Sequence, residues 1–191
     1  FFDVANMMED VVSLGVGEPD FHTPWHASEA GILSIERGQT AYTSNQGMPE
    51  LRDAISVYLD EKYHTKYRQE EILVTVGASE GIDLALRAIL NPGEEVLVPE
   101  PSKPCVVMAG GVPVPVNTQA VNEFRVTPQE LEELITPKTK AIILPYPNNP
   151  TGSVMRRQHL EAIASVIIEN DLIVISDEIY GELTYGEQPH V

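Results

Sequence analysis

The stretch AIILPYPNNPTG, at residues 141–152, decides how this chain is expected to fold. Its first residues are uninterruptedly apolar, which is typical of a strand covered on both faces in a parallel sheet. Prolines and an Asn-Pro pair then stiffen a turn directly after that strand. The stretch therefore predicts a buried strand that leads into a rigid turn at the carboxyl edge of a sheet.

The same alternation of apolar runs with helical patterns extends along the rest of the chain. Further strands are predicted at residues 72–76, 95–99, 112–116 and 172–176, and the prolines of 112–116 favour a sheet edge. Helices are predicted at residues 51–63, 79–90 and 156–170, and a capping box predicts another after Thr127. Strands alternating with helices indicate an α/β fold, with a mainly parallel sheet and helices on both faces.

The composition excludes some classes of function. A net charge of −17 disfavours binding to nucleic acid, because phosphate backbones are repelled. No apolar run approaches the length of a membrane span, and no signal peptide is visible. The single cysteine, Cys105, is expected to be buried and inert, and its isolation fits a reducing cytoplasm.

The segment VTVGASEG, at residues 74–81, predicts an anion site where a strand turns into a helix. The backbone N–H groups of Ala78 and Ser79 lie at the predicted helix start, and Ser79 is expected to cap it. Such an end suits a phosphate group. The alternative is an ordinary strand–turn–helix junction, where small residues serve capping alone.

The ends of two later strands carry further candidate side chains. In LPYPNNPTG, a rigid turn fixes the direction of the Asn149 amide, unless the turn is only a connector. In VISDEIYGELTY, at residues 174–185, Asp177 follows apolar residues and is expected to be partly buried, where a carboxylate needs a cation. Tyr180 is expected to face the same cleft. The alternative is that Asp177 caps a helix.

Other combinations of residues carry little chemistry. His22 and His26 have a spacing that suits a metal on a helix, but no cysteine or further histidine is near, so no metal site is expected. Gly15 and Gly17 lack the third glycine and the strand-to-helix setting of a dinucleotide fingerprint.

Taken together and in order, several landmarks resemble the class I/II aminotransferases of the fold-type-I pyridoxal-phosphate (PLP) enzymes, in particular their bacterial aspartate and broad-specificity branch. The landmarks are VSLGVGEPDFHTP, AYTSNQGMPELR, VTVGASEGIDLALRAIL, LPYPNNPTG and VISDEIYGELTY. The resemblance implies that residues 1–25 are an N-terminal segment of the small domain near the substrate entrance. It implies that residues 26–191 belong to the large PLP-binding domain.

The resemblance also implies a role for each candidate residue. Asp177 matches the aspartate beside the ring nitrogen of PLP, and Ile179 a residue packed on one ring face. Tyr180 and Asn149 match the pair that shares the cofactor's phenolate oxygen, with Asn149 also facing the substrate. The remaining matches are Ala78 and Ser79 with the phosphate-binding turn, Gly17 with a glycine whose N–H meets the substrate carboxylate, and Tyr42 with a tyrosine that reaches the phosphate of a neighbouring subunit. The resemblance thus implies a homodimer with shared active sites.

The family's Schiff-base lysine follows the Asp-x-x-Tyr motif, whereas no lysine occurs after Lys140 in this chain. That lysine, and the arginine that binds the substrate carboxylate, are therefore expected beyond Val191. The chain accordingly resembles the N-terminal half of such an enzyme, and it is expected to be inactive by itself.

The dipeptide Ser102-Lys103 marks a second departure from the family. Relatives place a short aromatic segment between this serine and the following helix, and one aromatic stacks on the cofactor ring. The hypothesis is that about four residues are absent at this junction, because a strand-to-helix loop normally needs a few residues. Lys103 precedes Asp177 and is therefore not expected to be the cofactor lysine.

The function implied by the resemblance is transfer of an amino group between an L-amino acid and a 2-oxo acid, within cytoplasmic amino acid metabolism and biosynthesis. Two alternatives stay open. The first is a PLP-dependent carbon–sulfur β-lyase, although Asn148 stands where lyase relatives often carry histidine. The second is a non-catalytic domain that senses PLP or an amino acid in a transcription regulator.

Overall fold

The computed structural model describes residues 17, 19, 21–99, 103–185 and 190 of the 191-residue chain. The chain divides into two compact units, Phe1–Thr43 and Ser44–Val191. The sequence predicts a domain boundary after residue 25, and that assignment of domains stays a prediction.

The N-terminal unit contains helix α1, Trp25–Glu36. No residue of this helix is buried. Trp25 and Ile35 keep 69% and 70% of their surface exposed. Exposed large apolar side chains are a common feature of surfaces that contact another protein.

The second unit contains a four-stranded parallel sheet. Its strands are β1 (Glu95–Pro99), β2 (Val112–Val116), β3 (Thr139–Pro145) and β4 (Ile173–Asp177). Their order across the sheet is β2-β1-β3-β4. Since β1 and β3 have hydrogen-bonded neighbours on both sides, they form the centre of the described sheet.

Four of the five sequence-predicted strands are confirmed: β1 and β2 have the predicted bounds, and β3 and β4 differ from them by one or two residues. The strand predicted at 141–145 begins earlier, at Thr139, and the one predicted at 172–176 moves to Ile173–Asp177. The proline-containing strand β2 lies at an edge of the described sheet, as its prolines predicted.

The prediction of a strand at residues 72–76 is wrong. Ile72 has extended backbone angles, with φ −111° and ψ 126°, but the segment joins none of the described strands. The Val74 N–H group instead donates to the Gln46 carbonyl at 3.0 Å. A strand requires a ladder of hydrogen bonds to a neighbour, so the β propensity of this segment is not sufficient to form one.

Two helices of the second unit precede β1 and the others lie between successive strands, and all the sequence-predicted helices are present. They are α2 (Pro49–Tyr63), α3 (Gly77–Ile89), α4 (Lys103–Met108), α5 (Pro128–Leu134) and α6 (Arg157–Glu169). A 3₁₀ turn at Gly181–Leu183 follows β4. Within the described residues, no helix is both long and apolar enough to cross a membrane.

Helix α5 begins with the predicted capping box. The Thr127 hydroxyl accepts a hydrogen bond from the Glu130 N–H group at 3.4 Å, and the Glu130 carboxylate accepts one from the Thr127 N–H group at 2.8 Å. Each side chain satisfies a backbone donor that the helix leaves unpaired. The start of α5 was therefore readable from local sequence.

One face of the sheet packs against α5 and α6. Ile142 of β3 is fully buried there with Leu131 of α5 and Ile163 of α6. Leu160 and Ile167 belong to the same cluster, which confirms the apolar stripe predicted for α6. This layer forms the larger of the two described cores.

The opposite face packs against α3 and α4. Ile143, the next residue along β3, points to this face because successive strand residues alternate. It packs with Leu86 of α3 and Val106 of α4, and Ile82 and Ile89 complete the predicted stripe. Helices therefore cover both faces of a parallel sheet, which confirms the α/β fold class.

Candidate cofactor site

The carboxyl ends of β1, β3 and β4 meet at one edge of the sheet. All the strands are parallel, and Pro145 at the end of β3 pairs with Asp177 at the end of β4. Segments that follow these strands therefore converge, as is general for ligand sites in open parallel sheets.

A cleft of about 350 Å³ lies at this edge. Six residues that the sequence singled out line it together: Ala78, Ser79, Asn149, Asp177, Ile179 and Tyr180. They come from segments far apart in the chain, so their convergence depends on the whole sheet. The volume falls within the range of small-molecule sites.

The N-terminus of α3 forms one wall of the cleft. The helix begins at Gly77, whose φ of 81° is readily adopted by glycine. The predicted capping role of Ser79 is wrong: the N-cap residue is Val76, and no side chain caps the helix. The Glu80 carboxylate accepts the Val76 N–H group instead. The Ser79 side chain therefore lines the cleft without capping the helix.

Asn149 and Tyr180 meet across the cleft. The Asn149 side-chain amide donates to the Tyr180 hydroxyl at 3.0 Å. A hydroxyl that accepts one hydrogen bond still holds a proton that it can donate to another acceptor. Two polar side chains from different segments are thereby directed at the same part of the cleft.

Asp177 is partly buried at the end of β4, as predicted. One carboxylate oxygen accepts the Ile179 N–H group at 3.3 Å, which fixes the carboxylate against its own turn. The alternative in which Asp177 caps a helix is wrong, because the following 3₁₀ turn has Tyr180 as its N-cap.

The cleft also includes residues that sequence reasoning missed. They are Ile82, Pro104, Cys105, Pro145 and Pro147. The expectation of a buried Cys105 is wrong, because this side chain is partly exposed and lines the cleft. Pro145 and Pro147 belong to the stretch LPYPNNPTG, whereas nothing in the local sequence of Pro104 or Cys105 indicates a site.

Two predicted site residues, Gly17 and Tyr42, belong to the N-terminal unit. Both are exposed, Tyr42 completely. Their roles at the substrate and at a neighbouring subunit stay predictions. Ser102 lies outside the described residues, so the hypothesis of a shortened junction also stays a prediction.

Tyr146 anchors the turn that carries Asn149. Its buried hydroxyl donates to the Phe124 carbonyl at 3.0 Å and accepts the Val126 N–H group at 3.2 Å. Burial raises the pKa of Tyr146 to about 12, so the hydroxyl keeps the proton that it donates at neutral pH. This side chain ties the turn to the segment before α5.

Replacing Tyr146 by Phe is expected to lower the free energy of unfolding by about 1–3 kcal/mol, because a buried N–H group and a carbonyl lose their partner. Urea denaturation of the complete protein measures this. Tyr185→Phe is the matched control, since that side chain is 83% exposed. If the two variants unfold at the same urea concentration, the hydrogen bonds of the Tyr146 hydroxyl do not contribute to stability.

The sequence profile of the family described as "Aminotransferase class I and II" matches residues 9–191. The chain belongs to this family. The matched range includes every residue that lines the cleft.

Individual relatives agree with this assignment. The chain is 51% identical to YugH of Bacillus subtilis (strain 168), provisionally named an aminotransferase, over 98% of this chain and 50% of the relative. It is 46% identical to an aspartate aminotransferase of Pyrococcus abyssi (strain GE5 / Orsay), over 99% of this chain and 50% of the relative. The structure of Thermus thermophilus aspartate aminotransferase with maleate has a TM-score of 0.91 at 39% identity, covering 100% of this chain and 51% of that chain.

The chain spans about half the length of these relatives. The alignment with the Pyrococcus abyssi enzyme extends over 194 positions, three more than the 191 residues of this chain. At least that many positions of the relative thus have no counterpart in this chain.

Proposed function

We propose that this chain forms the cofactor-holding part of a PLP-dependent aminotransferase, which moves an amino group between an L-amino acid and a 2-oxo acid. The observation that carries the proposal is the 3.0 Å hydrogen bond between Asn149 and Tyr180, in the same cleft as Asp177 and the N-terminus of α3. The phosphate, the ring nitrogen and the phenolate oxygen of PLP each have a complementary group in this set.

The phosphate of PLP fits the wall formed by Ala78 and Ser79. The first N–H groups of a helix have no acceptor within the helix, and the helix dipole favours an anion there. Because Ser79 does not cap the helix, its hydroxyl is a further donor for a phosphate oxygen. The strong negative charge of the chain makes such a local site necessary for an anionic ligand.

The other end of the cleft fits the ring of PLP. Bound PLP supplies an electron sink when its ring nitrogen is protonated. The Asp177 carboxylate favours that protonated form, because a nearby negative charge stabilises the cation. Ile179 and Ile82 supply apolar contact to the ring between the polar groups.

Asn149 and Tyr180 are proposed to hold the phenolate oxygen of PLP. The Tyr180 hydroxyl accepts the Asn149 amide, so its own proton is directed to a different acceptor, and the phenolate oxygen provides one. Charge-assisted hydrogen bonds of this kind are stronger than those between neutral groups. They orient the ring and keep it from rotating about the phosphate.

The complete protein is proposed to work as a cytoplasmic homodimer in amino acid biosynthesis. Tyr42 is proposed to reach the phosphate in the neighbouring subunit, which fits its full exposure, and Gly17 to bind the substrate carboxylate. The exposed apolar side chains of α1 fit a protein interface. The lysine that binds the cofactor is proposed to lie outside these 191 residues.

The test uses the complete protein, freed of cofactor and titrated with PLP. We expect stoichiometric binding seen by visible absorbance, and then a loss of that absorbance with release of a 2-oxo acid when a suitable amino acid is added. A broad panel of amino acids that leaves the bound absorbance unchanged would contradict the proposal. Pyruvate and ammonia released from cystathionine would instead favour the carbon–sulfur β-lyase.

A further inference from the structure

The Glu182 carboxylate binds several side chains at the end of helix α2. The Tyr58 hydroxyl and the Lys62 ammonium group donate to it at short range, and the Tyr63 hydroxyl donates at 2.9 Å. Tyr58 and Lys62 are four residues apart and therefore share one helix face. Donors from the last turns of a single helix thus converge on a single carboxylate.

The three side chains that donate to Glu182 also contact one another. The Lys62 ammonium nitrogen lies 5.7 Å from the ring centroids of both Tyr58 and Tyr63, and the two rings meet edge to face at 6.0 Å. Hydrogen bonds from Lys62, followed by those from the two tyrosines, lower the pKa of Glu182 to about 2. The carboxylate is therefore ionised at any pH at which the enzyme is assayed.

The turn to which Glu182 belongs also carries the candidate cofactor residues. Glu182 follows Tyr180 by two positions and lies in the 3₁₀ turn Gly181–Leu183. The hydrogen bonds inside the turn are short-range: Ile179 N–H to Asp177 Oδ1 at 3.3 Å, Gly181 N–H to the Glu178 carbonyl at 2.9 Å, and Leu183 N–H to the Tyr180 carbonyl at 2.9 Å. Such local bonds shape the turn but do not connect it to a helix.

Close packing at Gly181 brings the same turn against α2. A Cβ atom at Gly181 would lie 3.0 Å from the His190 ring and 3.6 Å from the Tyr63 hydroxyl. The Tyr63 and His190 rings meet edge to face, with centroids 6.3 Å apart. The turn therefore lies directly on the end of α2, where the Glu182 carboxylate finds its donors.

We propose that Glu182 is a positioning residue for the cofactor cleft: by binding the end of α2, it fixes the turn that carries Asp177 and Tyr180. The effect on cofactor binding rests on the proposed function. The attachment of the turn to α2 by Glu182 does not depend on it. Without the anchor, the turn keeps its local hydrogen bonds and the bond from Asn149 to Tyr180, but it loses the side-chain hydrogen bonds that hold it to α2.

The effect is expected to be local. The Glu182 and Lys62 side chains are 53% and 43% exposed, so solvent screens their attraction and little of the global stability depends on it. Local opening of a turn, in contrast, depends on the few contacts that hold it. A cleft that must hold Asp177 and Tyr180 in place is sensitive to that opening.

The experiment compares Glu182→Ala with the unmodified complete protein, first without cofactor. Amide hydrogen exchange at Ile179, Gly181 and Leu183 is expected to become about three- to tenfold faster, while exchange in strand β3 stays unchanged. The affinity for PLP is expected to fall by about the same factor. Glu182→Gln, which keeps an oxygen acceptor for the tyrosines, is expected to restore part of both effects.

Glu161→Ala is the matched control, because Glu161 is an exposed glutamate in a helical ion pair with Arg157 at 3.9 Å. It should change neither exchange nor PLP affinity. Unchanged exchange in Glu182→Ala, or faster exchange with unchanged PLP affinity, would overturn the inference. If the unmodified protein binds no PLP, the proposed function fails, whereas the exchange data still decide whether Glu182 anchors the turn.

Discussion

Replacing Asp177 by Asn is expected to lower kcat/KM for amino-group transfer by about 10²–10³-fold, the usual loss when a group that stabilises developing charge is removed. Asn has the shape of Asp, and its side-chain oxygen can still accept the Ile179 N–H group. The turn is thus preserved, and the negative charge beside the proposed ring nitrogen is what changes. Steady-state kinetics of the complete protein with saturating PLP measure this effect.

Asp171→Asn is the matched control for that experiment. Asp171 precedes β4 and is exposed, whereas Asp177 ends the same strand within the cleft. Its φ of 50° lies in the left-handed region, which Asn adopts readily. The control is expected to keep its activity. Equal activity of the two variants would remove Asp177 from the proposed chemistry.

Replacing Ile142 by Ala is expected to lower the free energy of unfolding by about 2–5 kcal/mol, through lost burial and the cavity that remains. Ile142 is fully buried at the centre of β3, pairing with Leu97 of β1 and Val174 of β4. A cavity there affects the contacts between sheet and helices that bring the strand ends together. Urea denaturation, with the slope compared between variants, gives the change.

Ile168→Ala controls for the substitution itself. Ile168 lies near the end of α6 with 76% of its surface exposed, so the same truncation removes little buried area. A change within about 0.5 kcal/mol is expected for it. If the two variants unfold at the same urea concentration, the sheet centre is not the core of this unit.

Local sequence was sufficient for the elements with strong periodicity. Two examples are the apolar stripe of Ile82, Leu86 and Ile89 and the capping box at Thr127. Each depends only on residues within or next to one helix. Residues 72–76 form no strand because pairing depends on a distant neighbour, which no local pattern specifies.

The candidate site could be predicted where side chains follow strand ends. Asp177 ends β4, and Tyr180 and Asn149 follow the ends of β4 and β3 within a few residues. Because the carboxyl ends of these strands converge, topology places the three side chains together. Cys105 was misjudged because its exposure depends on which side of α4 faces the cleft. The Glu182 contacts could not be predicted, because Tyr58 and Glu182 are 124 positions apart and no sequence pattern around either residue indicates the other as its partner.

The order of the strands has a consequence for how quickly the cleft can form. Strands β1 and β3 are neighbours although their paired residues Glu95 and Thr139 are 44 positions apart, because β2 and its connections come between them. Pairing at such separations slows folding, since the entropy of closing the loop is lost before the contact forms. The cleft exists only after these pairings are complete, so a ligand that binds it selects chains that have already folded. A ligand at about 100 times its Kd would then stabilise the folded state by about 2.7 kcal/mol, which protects a slowly folding sheet against reopening.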